Sequence, residues 1–547
     1  MPEDQHGGRL VAQALKREGI ETIFTLCGGH IMNIYEGCLD EGIRVVDVRH
    51  EQAAAMAADG LARMTRRPQF ATVTAGPGVM NAVTGIANAR AADSPVVLLG
   101  GQSDFARFGQ GALQEGPQVE VLAPLTKYAK SCYDINLLSD HMHSAFRAAA
   151  TPRMGPAFLE VPWDILFEEG REWAAPGGHG ATRTVYRTHA DPGRLTEAIQ
   201  LLREAERPVI VAGAGLWWDH AEAALQAFMD AYEAPIYTSS LARGMMPMGH
   251  ARFFVHSRSK ALDEADVVLN LGTPFDFRLA FGESVNKNAR IIHADTVGNA
   301  IGRRPVDVGL VGDLSATLQH LSNGIRGLPA PDRTAWLAGL REHDDNKRAK
   351  NAELANQEGD PMPALRFLRA LNDIIDDDTL VIGDGGNIVA LAGKVLEINT
   401  PGNWLDPGPY GTLGVGLPFG MAAKIAHPAK KIIVLSGDGA FGLNGMEIES
   451  CVRQDLPVTV VVANDGAWNQ IRDPQVTFYG EERAIATGLD QRVRYSDIAT
   501  AVGGYGERVS DAKEVGHAIE RAHASGKAAV IDVPIDPATN KGSGKPM

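Results

Sequence analysis

The sequence predicts an α/β protein built from three doubly wound parallel-sheet domains, on three observations. Short apolar runs repeatedly end in glycine-rich turns followed by helix-like segments, the rhythm of parallel strands covered by helices. That rhythm fills three blocks separated by two polar stretches. The chain has 547 residues, room for about three domains at roughly 100–200 residues each. Hydrophobic residues make up 44% and charged residues 22%, which excludes a disordered or fibrous chain.

The first domain is expected over 1–172. Residues 8–17 are amphipathic. Thr22–Leu26 reads as a strand ending at Gly28-Gly29, and 45–48 as the next. The Ala-rich 52–66 predicts a helix. A strand over 70–74 runs into Ala75-Gly76-Pro77-Gly78, a helix over 81–92 follows, and 95–100 and 157–161 are further strands. A Gly/Pro-rich linker over 171–190 contains Ala175-Pro176-Gly177-Gly178.

The second domain is expected over 190–328, with strands at Pro208–Ala212, 266–271 and 290–294. Gly213 and Gly215 begin a dinucleotide-type turn, but Trp218 stands where its third glycine belongs, which argues against NAD. Residues 325–360 are polar and charged and read as a second linker. The third domain, 361–547, repeats the habits of the first, with strands over 379–382, 431–435, 458–463 and 528–533.

Lys and Arg total 52 against 67 Asp and Glu, a net charge of −15, which argues against nucleic acid as a partner. No apolar run approaches the ~18 residues of a membrane span, and residues 1–6 lack the pattern of a secretory signal. Cys27, Cys38, Cys132 and Cys451 are too scattered for a disulfide framework or a zinc knuckle. Free thiols in a reducing cytoplasm are expected.

The strongest chemical signal is Gly437-Asp438-Gly439 followed by Asn464-Asp465, each at the end of an apolar strand. In an open α/β sheet that edge is where ligands bind. Asp438 and Asp465 suit a hard divalent cation, with a backbone carbonyl, best placed at Ala467, as a third ligand. Mg²⁺ prefers such a set, completed by water and phosphate. The glycines let backbone N–H groups face a diphosphate, and a helix expected to begin near Gly445 adds its dipole.

This segment resembles the diphosphate motif of thiamine-diphosphate enzymes, and nearly the whole chain looks like their acetolactate synthase, benzaldehyde lyase and 2-hydroxyacyl-CoA lyase branch. The family usually has Asn where this chain has Asp465. The resemblance implies a pyrimidine-binding, a central and a diphosphate-binding domain, with thiamine diphosphate and Mg²⁺ as cofactors. It implies that Glu51, in Arg49-His50-Glu51-Gln52, shares a proton with the coenzyme's aminopyrimidine and so promotes loss of the thiazolium proton. Leu413 matches the apolar residue that bends the coenzyme, and the Gly411 carbonyl the acceptor for its amino group. Thr74, Gly76 and Asn81 match the pyrimidine-side loop. Gly386, Asn387, Ile388 and the run Gly437, Asp438, Gly439, Ala440 match the diphosphate side.

On the substrate side the resemblance implies His30 as a proton shuttle, Gln114 as a hydrogen-bonding group, and Trp468 and Asn469 as cavity lining. Trp163 resembles benzaldehyde lyase or is plain core. The implied chemistry is carbon–carbon lyase or carboligase action on 2-hydroxy ketones or 2-hydroxyacyl-CoA and aldehydes, with 2-oxo acid decarboxylation or acetolactate synthesis as the alternative. The implied assembly is a homodimer or homotetramer with each site between subunits. Residues 105–118 look partly like the CoA lyases, whereas the short, mildly basic tail 541–547 lacks their longer closing segment. Pro274-Phe275-Asp276-Phe277-Arg278 faintly resembles an FAD region, so a non-catalytic FAD or ADP in the central domain stays open.

Overall fold

A computed structural model describes residues 5–170 and 186–541. The glycine-rich linker 171–185 and the tail 542–547 lie outside the described residues.

Three parallel sheets carry the fold. The first runs, edge to edge, Arg44–Asp47, Thr22–Leu26, Gln69–Val73, Val96–Gln102, Ala157–Pro162 and Ala129–Ser131. The third runs Trp404–Leu405, Thr379–Asp384, Lys431–Gly437, Thr459–Asn464, Ala529–Pro534 and Tyr505–Arg508. Numbered within its own domain, each has the strand order 2-1-3-4-6-5. The central sheet has five strands, Ile236–Thr238, Pro208–Ala212, Val267–Leu271, Arg290–Asp295 and Val308–Val311, in the order 2-1-3-4-5. In all three the order reverses between strands 1 and 3, which opens a crevice at their C-terminal ends.

The strands are near-continuous apolar runs because both faces are covered. In the third sheet Leu380, Ile382, Val434 and Val460 join one core, and Val381, Ile433, Leu435 and Val461 join the other. The first of these cores also takes Phe24, Val73 and Leu98 from the first sheet and Ile210 and Leu269 from the central one, so one apolar core runs through all three domains.

Two helices bring the outer domains together. Glu51–Thr65 of the first packs on Gly416–Ala426 of the third. The buried Arg63 makes a two-pronged pair with Asp59, Nε to Oδ1 and Nη2 to Oδ2 at 2.7 Å each. It also donates to the Asp406 carbonyl at 2.8 Å and lies over the Phe419 ring. The central domain docks on the first through two indoles. Trp217 donates to the Arg63 carbonyl and Trp218 to that of Ala92, and the Arg66 guanidinium sits 3.8 Å from the Trp217 ring centroid.

The second expected linker is a helix instead. Thr334–Ala355 packs against the central domain by burying only Leu340, Asp344 and Ala355. The Asp344 carboxylate accepts the backbone N–H groups of His256 and Ser257, both at 2.8 Å. Trp336 donates to the Pro208 carbonyl at 3.1 Å and Arg341 to that of Ala251 at 2.7 Å, and an element held largely by such polar contacts leaves no long apolar stripe in the sequence. Trp163 is not core either, being 38% exposed beside Phe167.

Candidate active site

The residues expected to act assemble in two places, each at the crevice between strands 1 and 3 of its sheet. In the first domain, strand Thr22–Leu26 leads to His30 and strand Gln69–Val73 to Thr74 and Gly76. His30 Nδ1 lies 3.0 Å from Thr74 Oγ1. Burial lowers the pKa of His30, which favours the neutral ring. Gly76 has φ +56, and a Cβ there would stand 2.5 Å from the Gln114 carbonyl, so only glycine lets the Gln114 segment close over this turn. Gln114 itself is held at φ +62. Glu51 opens its helix, is 7% exposed, and accepts from Asn81 Nδ2 at 2.9 Å. Glu51, His30, Gln114, Thr74, Gly76 and Asn81 therefore occupy one neighbourhood.

Sequence reasoning missed what supports this cluster. The Gln118 amide accepts the Gly76 N–H at 2.6 Å and donates to Glu160 at 2.7 Å and to the Gly101 carbonyl at 2.9 Å. Ser131 and Gln102 complete the hydrogen bonding of the buried Glu160.

In the third domain the crevice is a cavity of about 1190 Å³ shared with the central domain. Gly386, Asn387 and Ile388 line it from the end of strand 1, and Gly437, Asp438, Gly439 and Ala440 from the end of strand 3. Asp465, Ala467, Trp468 and Asn469 line it from strand 4, and Gly411 and Leu413 from the loop before Gly416–Ala426. A short helix, Asp438–Asn444, follows the strand directly, and the helix expected near Gly445 begins at Glu447. A Cβ on Gly439 would stand 2.6 Å from the Trp468 ring, so glycine allows the two loops to meet.

Asp438 accepts the N–H groups of Gly439 and Gly466, both at 2.8 Å. Burial first, and the neighbouring Asp465 carboxylate second, push the Asp438 carboxyl up to about 7. Burial also raises Asp465, whose oxygens take the Asn540 and Asn469 amides at 2.7 and 3.0 Å. Among the described residues no lysine or arginine forms an ion pair with either carboxylate, and no third acidic, His or Cys side chain completes a metal cluster. Two buried carboxylates left without countercharge fit a hard divalent cation whose other ligands are a carbonyl, water and phosphate. Asn464 points the other way, donating to the buried Asp532 at 3.1 Å and to backbone carbonyls.

Asp384 and Asn540 were also missed. The buried Asp384 accepts from Gly414 and Gly416 at 2.9 and 2.8 Å, which shapes the loop presenting Gly411 and Leu413. Burial pushes its carboxyl up to about 6. Asn540 ties Asp465 and, through its carbonyl, Asn387 to the end of the chain.

Asp438→Asn removes one of the two charges that would hold a cation. Coenzyme affinity in the presence of Mg²⁺ is expected to fall by at least roughly 10–100-fold, measured by titration calorimetry. Unchanged affinity would remove Asp438 from the metal site.

"Thiamine pyrophosphate enzyme, N-terminal TPP binding domain" matches residues 5–121. The central domain of the same family matches 195–321, and its C-terminal TPP binding domain 384–533. An acetolactate synthase large subunit of Mycobacterium tuberculosis is 40% identical over 98% of this chain and 96% of its own length. A 2-hydroxyacyl-CoA lyase 2 of Caenorhabditis elegans is 33% identical over 93% of this chain and 85% of its own. The human protein of that name is 33% identical over 92% and 84%.

Proposed function

The chain belongs to the thiamine pyrophosphate enzyme family, and from that premise we propose that it is a carbon–carbon lyase or carboligase acting on an anionic acyl donor. Thiamine diphosphate, when bound, supplies a carbon nucleophile and an electron sink. The protein's part is to bind it, hold protons and shape the cavity. Asp438, Asp465 and the Ala467 carbonyl hold Mg²⁺ and through it the diphosphate. Gly386, Asn387, Ile388, Gly437, Gly439 and Ala440 give the diphosphate a close backbone approach, and Leu413 with the Gly411 carbonyl sets the coenzyme's shape. Glu51 holds a proton against the aminopyrimidine, where Thr74, Gly76 and Asn81 form the walls. Neutral His30 moves a proton at the substrate hydroxyl, Gln114 orients it, and Trp468 and Asn469 line its path.

One observation carries the assembly. No residue of the first domain is among those lining the diphosphate cavity, which begin at Tyr237. That supports a shared site, in which Glu51, His30 and Gln114 serve the cavity of another copy in a homodimer or homotetramer. Mixing Glu51→Gln with Asp438→Asn protein should restore activity that neither has alone. If refolded mixtures stay inactive, the shared site is wrong.

The charge of the cavity supports the substrate class. The chain carries −15 overall, yet Arg243, Arg258, Lys347 and Lys350, with Arg278 already paired to Asp276, line this cavity from the central-domain side and Lys394 lines it from the third domain. Burial, then Lys347 and Arg258, lower the pKa of Lys394, so these cations crowd one another. A 2-hydroxyacyl thioester bearing phosphates fits such a wall better than a neutral 2-hydroxy ketone. The 40% identity to an acetolactate synthase large subunit supports a 2-oxo acid as the second reading. Aldehyde release from a 2-hydroxyacyl-CoA supports the lyase. Prompt CO₂ and acetolactate from pyruvate would replace it. In either case Lys347→Glu with Lys350→Glu should raise KM for the anionic donor on the order of tenfold with little effect on kcat. An unchanged KM would count against the anionic wall. Free thiols, three of the four buried, suit a cytoplasmic setting, and no helix of the described residues is long and apolar enough to cross a membrane.

A further inference from the structure

Glu447 opens the helix Glu447–Arg453 of the third domain and is 1% exposed. Its backbone partner lies almost 400 residues away in sequence, in the segment that delivers Glu51. Both carboxylate oxygens accept the Arg49 N–H, at 3.0 and 3.1 Å. Ser450 Oγ donates to Oε2 at 2.8 Å and fixes the carboxylate's orientation. The same helix and the residue after it grip the preceding strand. Arg453 and Gln454 both donate to Asp47, and the Gln454 carbonyl accepts from Arg44 at 2.9 Å. The segment from Arg44 to Arg49 is thus tied to the third domain up to two residues before Glu51.

A carboxylate is an expensive group to bury for the sake of a backbone amide. Burial pushes this one up to about 7, with the Ser450, Arg49 and His50 hydrogen bonds acting against the rise. Among the described residues no Lys or Arg forms an ion pair with it. The Arg49 N–H lies between the strand Arg44–Asp47 and the helix Glu51–Thr65, where neither element supplies an acceptor. Glu447 satisfies it and fixes where the helix starts.

We propose that Glu447 is a positioning residue for Glu51: by clamping the Arg49 amide, the third domain sets where the Glu51 carboxylate stands. The inference rests on the reading of Glu51 given above. A displacement of about 1 Å at a reacting group can cost on the order of 10²-fold in rate, so the clamp bears on chemistry and not only on domain contact.

The test is the rate at which the C2 proton of bound thiamine diphosphate exchanges with deuterium, read by NMR after acid quench of the Mg²⁺-loaded protein. Glu447→Ala should slow this exchange roughly 10–100-fold, with coenzyme affinity by calorimetry and KM both close to the parent. Glu447→Gln keeps one acceptor oxygen and should recover part of the rate. If Glu447→Ala does not fold, Glu447→Gln and Ser450→Ala carry the test, each expected to slow exchange severalfold. Parent-like exchange in the folded variants, whatever their melting temperature, overturns the proposal and leaves Glu447 a domain-joining residue. Glu51→Gln is the reference. If it slows exchange and the Glu447 variants do not, only the clamp is wrong; if it too exchanges at the parent rate, the reading of Glu51 itself fails.

Discussion

Glu51→Gln should bind thiamine diphosphate and Mg²⁺ like the parent and lose about 10²–10⁴-fold in kcat, the usual worth of a positioned acid–base group. The substitution suits the site. Glu51 accepts from Asn81 Nδ2 at 2.9 Å, and a glutamine presents its carbonyl oxygen to the same donor. It keeps its place at the start of the helix behind the His50 cap, whose Nδ1 accepts the Gln52 N–H. The side chain loses only the ability to hold a shared proton. Steady-state kinetics beside calorimetry separates the outcomes. A drop in kcat with affinity kept assigns the proton role. Full turnover would withdraw it, while lost affinity would make Glu51 a binding residue.

The second large effect is on stability. Arg63→Met should destabilise the chain by about 3–5 kcal/mol, as expected when one member of a buried pair is removed. Arg63 is 1% exposed and Asp59 0%. Without the guanidinium, Asp59 keeps only the Asn88 amide at 2.9 Å, and the Asp406 carbonyl loses its donor. Adding Asp59→Leu should recover a large part of the loss, because no uncompensated charge then remains. Denaturant melts of the single and double variants check this. A single variant as stable as the parent would show that the pair does not hold the two helices together.

Much of this was legible in the sequence because motif and topology coincide. Gly437-Asp438-Gly439 and Asp465 stand at strand ends, and a parallel sheet delivers adjacent strand ends to one crevice. The neighbouring Asn464 shows the limit. Along and just past the strand Thr459–Asn464 successive side chains take opposite faces, so one residue of offset separates the cavity-lining Asp465 from a core partner of Asp532. Asp384, Gln118, Glu160 and Glu447 were not legible. Asp384, Gln118 and Glu447 accept backbone N–H groups far away in sequence, and Glu160 holds the Gln118 amide in place; such roles leave neither a period nor a motif. The helix Thr334–Ala355 escaped for a related reason. With three buried side chains its composition is that of a solvated linker.

The apolar core that takes walls from all three sheets bears on how such a chain can be recombined. An exchange of the middle unit with a relative's would cut through shared packing, not between separate interiors. A working chimaera would have to bring along matching surfaces for Trp217 and Trp218. The helices beginning at Glu51 and Gly416 would have to travel together as one inheritance unit, although hundreds of residues of gene lie between them.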